Sequence, residues 1–396
     1  MFDFATPINR KGTYCTQWDY VADRFGEADL LPFTISDMDL ATAPCVLSAL
    51  DYRMKHPVWG YSRWNHHDYK SAIAYWFQTR FDTEIDKEAI VYGPSVIYMV
   101  ARLLNLWSEI SDEVLVHTPA YDAFDKVIHF NHRKMLRCPL IKGAERYEID
   151  WQLFTELANR GTCKVLLLCS PHNPTGRVWS EDELSRMDDI CRAAGVRVIS
   201  DEIHMDTTFT RHAPWAGITR ATDWALVSSA SKSFNIPALG GAYGIMPDIE
   251  SRNNYLDCLK MADGLSSPSV PGMLALISAY REGAEWLDSL NLYLKANHQH
   301  LADRLNDGFP SVNYQVPDGT YLAWIDLGSL AINMNDLQER LVTLEKVAIM
   351  RGDTYGPEGQ SFLRMNLGCS RLKLDDGIDR LLRALKSELE TTRDIR

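Results

Sequence analysis

Residues 164–176 read KVLLLCSPHNPTG, residues 196–206 read VRVISDEIHMD, and residues 224–235 read WALVSSASKSFN. Each opens on a short apolar run, Lys164–Cys169, Val196–Asp201 or Trp224–Ser228, of the kind that parallel sheets bury on both faces. Each run then breaks into polar residues. Glu113–His117 is a fourth run of the same type. Between the first two lies Ser180-Glu181-Asp182-Glu183-Leu184, an N-cap with acid in the first turn, continuing to Ala194 before Gly195 stops it. Strand–helix–strand alternation implies right-handed crossovers and a mostly parallel sheet, so the expected class is α/β.

The pattern changes from about residue 285. Leu287, Leu290, Leu294, Leu301 and Leu305 mark one face of a long amphipathic helix. Strand-like segments follow at Tyr321–Leu327, Val347–Met350 and Phe362–Asn366, then a charged helix from about Lys373. By pattern the chain reads as a large α/β domain followed by a small α+β one, with the place of the N-terminal arm open; the expected division is a large domain over 31–287 and a small one formed by 1–30 and 288–396.

The 396-residue chain has 41 Lys plus Arg against 53 Asp plus Glu, a net charge of −12, which opposes binding to nucleic acid or anionic membrane. Hydrophobic residues at 46% and charged residues at 24% are those of an ordinary globular protein and exclude a disordered one. The eight cysteines form no CxxC pair and read as reduced, packed thiols. No uninterrupted apolar stretch is long enough to span a membrane, and no secretory signal is visible, so the expected location is the cytoplasm. His66-His67 lacks helical ligand spacing, and no metal is expected.

Ligands in open α/β sheets collect at the carboxyl ends of the strands. The first run leads to Asn173, held between Pro171 and Pro174 in a rigid turn. The second ends in Asp201, costly at the tip of an apolar strand unless it meets a cationic or hydrogen-bonding partner. The third leads to Lys232, flanked by Ser231 and Ser233, a candidate for imine chemistry. Singly, each has a plain structural alternative: a Pro/Gly turn, an ion pair, a solvated lysine. Together, about 30 residues apart at the ends of successive strands, they meet the needs of pyridoxal 5′-phosphate. That cofactor uses a lysine amine for covalent attachment, a carboxylate for the pyridinium proton and an amide for the phenolic oxygen. In Phe362–Asn366, period two sets Leu363 and Met365 on one face, with Phe362, Arg364 and Asn366 on the other. The Arg364 fork suits an amino-acid carboxylate or a structural ion pair.

These residues resemble the fold-type I pyridoxal-phosphate enzymes of the class I/II aminotransferase superfamily and, more narrowly, the MalY/PatB-type carbon–sulfur lyases. The narrower resemblance lies in Cys15–Gly26 (CTQWDYVADRFG), Ile35–Asp39 (ISDMD), Trp59–Trp64 (WGYSRW), Tyr92–Tyr98 (YGPSVIY), Thr118–Phe124 (TPAYDAF) and Asp201–Asp206 (DEIHMD). It runs from the N-terminus to the C-terminal helix.

The resemblance implies a homodimeric cystathionine β-lyase in which Lys232 is the catalytic residue. Asp201 and Asn173 would hold the ring, and Tyr121 would stack on it. The phosphate would sit on Ser95, Val96 and Ile97 at a helix start, with Ser229, Ser231 and a neighbouring subunit's Tyr61 as further donors. Arg364 and Asn366 would take the substrate carboxylate. It further implies contact with a transcriptional activator of the maltose regulon. An aminotransferase using the same residues is the alternative, since fold and cofactor do not separate the two.

Two positions depart from the common aminotransferase pattern. Gly240 stands eight residues after Lys232, where an arginine often pairs with the phosphate, and His204 replaces a tyrosine three residues after Asp201. Asp37 and Asp39 are expected to shape the site entrance.

Overall fold

The three polar-tipped runs are neighbouring strands of one sheet. The computed structural model describes residues 2–143 and 145–395. Its strands, in chain order, are β1 (Leu31–Phe33), β2 (Ile90–Gly93), β3 (Glu113–Thr118), β4 (Lys134–Pro139), β5 (Ile141–Lys142), β6 (Tyr147–Glu148), β7 (Cys163–Cys169), β8 (Arg197–Asp201), β9 (Trp224–Ser228), β10 (Ala242–Ile245), β11 (Leu322–Asp326), β12 (Val347–Arg351) and β13 (Phe362–Asn366). Two compact units result, one of residues 42–173 and 177–288, the other of 1–41, 174–176 and 289–396.

The larger unit carries a seven-stranded sheet in the order β2-β10-β9-β8-β7-β3-β4. Strands β4, β3, β7, β8 and β9 are parallel, while β10 runs antiparallel to both β9 and β2. The class is therefore α/β with a mostly parallel sheet, as strand–helix alternation requires. Val165 to Cys169 and Ala225 to Ser228 are buried throughout, which is why those strands read as continuous apolar runs.

The Glu181–Ala194 helix between β7 and β8 starts where its cap signals it. The Ser180 hydroxyl accepts the Glu183 N–H at 3.2 Å, and the Glu183 carboxylate accepts the Ser180 N–H at 2.8 Å. Gly195 ends the helix in the left-handed region. Ser180→Ala strands one donor and is expected to lower stability by about 1 kcal/mol, read as a shift in urea midpoint at unchanged slope.

The smaller unit has a four-stranded sheet, β1-β12-β13-β11. Its core gathers Leu301 and Leu305 of the Ala284–Gly308 helix, Leu363, Met365 and Leu367 of β13 and its exit, and Leu374, Ile378 and Leu381 of the Arg371–Ile395 helix. Leu31–Ala41, which the expected division places with the large domain, is grouped with this unit: Leu31, Pro32 and Phe33 of β1 pair with Val347, Ala348 and Ile349 of β12. Among the described residues, no helix is long and apolar enough to cross a membrane.

Candidate active site

Strands β3, β7, β8 and β9 run one way, and β2, lying antiparallel to β10 as β9 does, runs with them. Their last residues therefore share one edge of the large sheet. Ser95 follows β2, Tyr121 follows β3, Asn173 follows β7, Asp201 ends β8, and Ser229, Ser231 and Lys232 follow β9. Register tightens the grouping: Cys169 lies opposite Asp201, Asp201 opposite Val227, and the Ser170 N–H donates to the Asp201 carbonyl at 2.9 Å. The large-unit residues expected from sequence, apart from Tyr61, thus come from loops at one sheet edge, where a parallel sheet presents its ligand.

The Val96–Trp107 helix starts at this edge with Ser95 as its N-cap, the hydroxyl accepting the Tyr98 N–H at 3.2 Å. Its first N–H groups, those of Val96 and Ile97, have no intrahelical acceptor and suit an anion. The Gly241 N–H donates to the Pro94 carbonyl at 3.1 Å, and the Gly241 carbonyl accepts the Ser229 hydroxyl at 2.7 Å. One glycine thereby joins the helix start to the turn after β9. The Ser229 oxygen also accepts the Ser231 N–H at 3.1 Å, so the single hydroxyl proton of Ser229 is committed to Gly241. Ser229 could donate to a phosphate only by releasing that bond. Val96, Ile97 and Ser231 carry no such commitment. A small recess opens beside these donors, lined in part by Tyr92, Ser229, Ser231, Gly240 and Gly241. It adjoins the hydroxyls rather than the Asp201 carboxylate.

The backbone at Gly240 has φ 72° and ψ 172°, and Gly241 has φ 98°. The first of these conformations is open essentially to glycine alone. The helix Val270–Glu282 passes so close that a Cβ on Gly272 would lie 2.3 Å from the Gly240 carbonyl oxygen.

Asp201 is buried, and burial raises its carboxyl to about 7. The Ile203 N–H, which it accepts at 3.1 Å, and the charge of Lys232 pull the other way, while neighbouring Glu202 adds to the rise. A carboxylate so placed lacks sufficient positive charge among its own neighbours. A protonated ring nitrogen would supply it, so the donor set fits pyridoxal phosphate: an anion at the ring nitrogen, an amide at Asn173, an amine at Lys232 and N–H and hydroxyl groups for a phosphate.

Residues that sequence reading left aside brace these tips. Glu202 is fully buried and accepts the Ser200 hydroxyl and the Trp215 N–H, both at 2.8 Å, while facing His212 Nε2 at 2.9 Å. Asp206 accepts Trp76 Nε1 at 2.8 Å and the Ser233 hydroxyl at 3.0 Å, fixing the residue beside Lys232. The signal was present in the acid spacing of DEIHMD, but nothing local names partners 10 to 130 residues away. His204 is buried, its carbonyl accepting the Thr207 N–H and hydroxyl. Tyr61 is fully exposed, on an irregular stretch whose Ser62 hydroxyl donates to the Pro268 carbonyl at 2.9 Å.

The expected carboxylate-binding pair belongs to the smaller unit. Leu363 and Met365 face its core, and Arg364 and Asn366 face the segment Thr34–Asp37. Arg364 Nη2 donates to the Thr34 carbonyl at 2.8 Å, and the guanidinium lies 4.5 Å from the Tyr355 ring centre. Asn366 Nδ2 donates to the Ile35 carbonyl at 2.5 Å and the Asp37 carbonyl at 2.7 Å.

Among the described residues, no three His, Cys, Asp or Glu side chains converge as a metal would require. Burial instead holds two histidines of the large unit neutral: His117, stacked on Phe154 with both ring nitrogens unpartnered, is lowered to about 4, and His172 to about 3. An unfolded histidine titrates near 6.5. The unfolded chain therefore binds more protons below that pH, and stability is lost as pH falls from about 6.5 toward 4. At pH 5, His117 alone is expected to cost about 2 kcal/mol. His117→Leu should shrink the drop in urea midpoint between pH 7 and pH 5; an unchanged drop would show that His117 is not its source.

Comparison with known proteins adds the following. The family model for aminotransferase class I and II matches residues 28–381. The chain is 54% identical to Protein MalY of Escherichia coli over 389 residues, 98% of this chain and 100% of that protein. It is 32% identical to the cystathionine β-lyase PatB of Bacillus subtilis, over 95% of this chain and 98% of PatB. The crystal structure of cystalysin from Treponema denticola, which contains a pyridoxal 5′-phosphate cofactor, superposes with a TM-score of 0.92 at 28% identity, covering 98% of this chain and 99% of that one.

Proposed function

The chain belongs to the aminotransferase class I and II family, and from that premise we propose that it is a pyridoxal phosphate-dependent carbon–sulfur β-lyase acting on L-cystathionine. The observation that carries the reading is the meeting of Asn173, Asp201 and Lys232 at one sheet edge. The nearly full-length likeness to PatB, a cystathionine β-lyase, favours elimination over amino transfer.

When bound, pyridoxal 5′-phosphate supplies a conjugated ring that takes up the electron pair left on the α-carbon of an amino acid. Asp201 would accept the ring N–H, Asn173 would donate its amide to the ring oxygen, and Tyr121 would offer a flat face. Ser95, Val96, Ile97 and Ser231 donate to the phosphate, with Ser229 and a second copy's Tyr61 as further donors. Arg364 and Asn366 hold the substrate α-carboxylate. Lys232 Nζ, the amine that would hold the cofactor, would also remove the α-proton. The Cβ–S bond then breaks with the electron pair leaving on sulfur. Overall, L-cystathionine and water give homocysteine, pyruvate and ammonia.

The same reading makes the protein a cytoplasmic homodimer, supported by eight free cysteines and by the full exposure of Tyr61. Contact with a transcriptional activator of the maltose regulon would use protein surface rather than DNA, given the charge of −12. Failure to co-purify with that activator at micromolar concentrations would remove this part alone. The enzymatic part is tested by incubating the holoenzyme with L-cystathionine. Thiol and pyruvate should appear in equal amounts; keto-acid-dependent amino transfer without pyruvate would hand the site to an aminotransferase.

A further inference from the structure

Arg364 and Asn366 take their bearings from a segment that no sheet holds. β1 ends at Phe33, and Thr34–Asp39 continues without regular structure. Its carbonyls nevertheless serve as the shelf for the proposed substrate-binding side chains: Thr34 for Arg364, Ile35 and Asp37 for Asn366, and Ser36 for the Tyr321 hydroxyl at 2.9 Å. Hydrogen bonds fix the shelf at both ends. Gln17 accepts the Thr34 N–H at 3.1 Å, and the Asp39 N–H donates to the Gly368 carbonyl at 2.7 Å.

The far end is held by charge. Arg10 Nη2 meets Asp37 Oδ2 at 2.5 Å, while Arg10 Nη1 meets Asp39 Oδ1 at 2.9 Å and the Met38 carbonyl at 3.0 Å. Lys373 pairs with Asp39 and donates to the Pro32 carbonyl at 2.5 Å, with its ammonium over the Trp18 and Phe33 rings. Trp18 Nε1 donates to Asp39 Oδ1 at 2.9 Å. Two cations thus balance two nearly buried carboxylates two residues apart. The other Asp37 oxygen is buried with no hydrogen-bond partner, so Arg10 is the charged group that compensates it.

We propose that Arg10, with Lys373 at the other end of the chain, is a positioning residue for substrate-carboxylate binding: by neutralising Asp37 and Asp39 it fixes the Thr34–Asp37 carbonyls that aim Arg364 and Asn366. The inference rests on the reading that Arg364 holds the carboxylate. Without Arg10, two like charges in low dielectric repel, and the shelf must move to hydrate them. A bidentate clamp displaced by about 1 Å loses on the order of 10²-fold. The loss falls on KM, because the carboxylate is held alike before and during the chemistry.

The test compares Arg10→Gln, Arg10→Lys, Lys373→Met and Arg364→Gln in the cofactor-loaded enzyme, with L-cystathionine kinetics and with L-alanine binding followed by the visible cofactor band. Arg10→Gln and Lys373→Met should each raise KM and the L-alanine Kd by about tenfold or more, with kcat within about threefold. Arg10→Lys, which keeps the charge but not the fork, should fall between. A variant that merely loosens the fold would lower the melting temperature and leave KM alone, which overturns the proposal. So does a KM within twofold of wild type in both charge-removing variants while Arg364→Gln raises it. If Arg364→Gln itself leaves KM and Kd unchanged, the carboxylate reading falls and takes this inference with it.

Discussion

Lys232→Ala is expected to lower kcat/KM for L-cystathionine by roughly 10⁴-fold or more and to abolish the visible cofactor band. On the proposed reading two functions leave with one amine: covalent attachment of the cofactor and removal of the α-proton. The fold should survive, because the turn is held by its neighbours. Ser233 bonds to Asp206, the Ser231 N–H to Ser229, the Phe234 N–H to the Ala230 carbonyl at 3.0 Å, and Phe234 stacks on Trp286. Lys232 itself is only half-buried, so truncation opens little cavity. An unchanged melting temperature with lost activity is the expected pair of results. Activity within tenfold of wild type would remove Lys232 from the mechanism.

Asp201→Asn is expected to separate stability from catalysis. The substitution keeps shape and one acceptor but gives up the charge that a protonated ring nitrogen needs, and a loss of roughly 10³-fold in kcat follows from removing such a buried electrostatic partner. In the cofactor-free protein the sign reverses. The carboxyl stands at about 7 in the folded state against about 3.9 unfolded, so the folded chain binds the extra proton between those values. Its ionisation therefore costs folding free energy that is absent below about pH 4, grows as pH rises and is complete above about 7. At pH 8, Asn should raise the urea midpoint of the cofactor-free protein by an amount worth a few kcal/mol, while depressing turnover of the loaded enzyme. A fall in that midpoint would mean that Asp201 is not held against its own charge.

The sheet centre was legible because its strands are buried on both faces. Lys164–Cys169, Val196–Asp201 and Trp224–Ser228 match β7, β8 and β9 to within a residue. The strands passed over are short or polar. β10 is four residues, Ala-Tyr-Gly-Ile, beside the four of β2, and β4 is an edge strand with only Leu136 and Cys138 buried. β1 holds a proline and reads as loop until β12 pairs with it.

The same distinction governs the site. Lys232, Asp201 and Asn173 sit at the ends of runs that the eye can follow, so spacing exposed them. Tyr121, Ser95 and Tyr61 were reached only by resemblance, since a lone tyrosine or a helix cap carries no chemistry of its own. Arg10 left no local trace at all: its meaning lies in partners 27 to 29 residues on and in a lysine near the other terminus.

The glycine pair beside the hydroxyls bears on what substitution can reach. An arginine at residue 240 would give the phosphate a permanent cation, and a Cβ there would meet nothing within 4 Å. Space is not the obstacle; backbone direction is. At φ 72° and ψ 172° any side chain is strained, the next residue is also left-handed, and Gly272 seals the loop against its helix. Introducing a cation there would take a rebuilt loop rather than one codon change. The proposed phosphate grip of this chain is thereby kept to dipoles by a barrier in the main chain, and laboratory evolution for tighter cofactor retention should find its gains elsewhere.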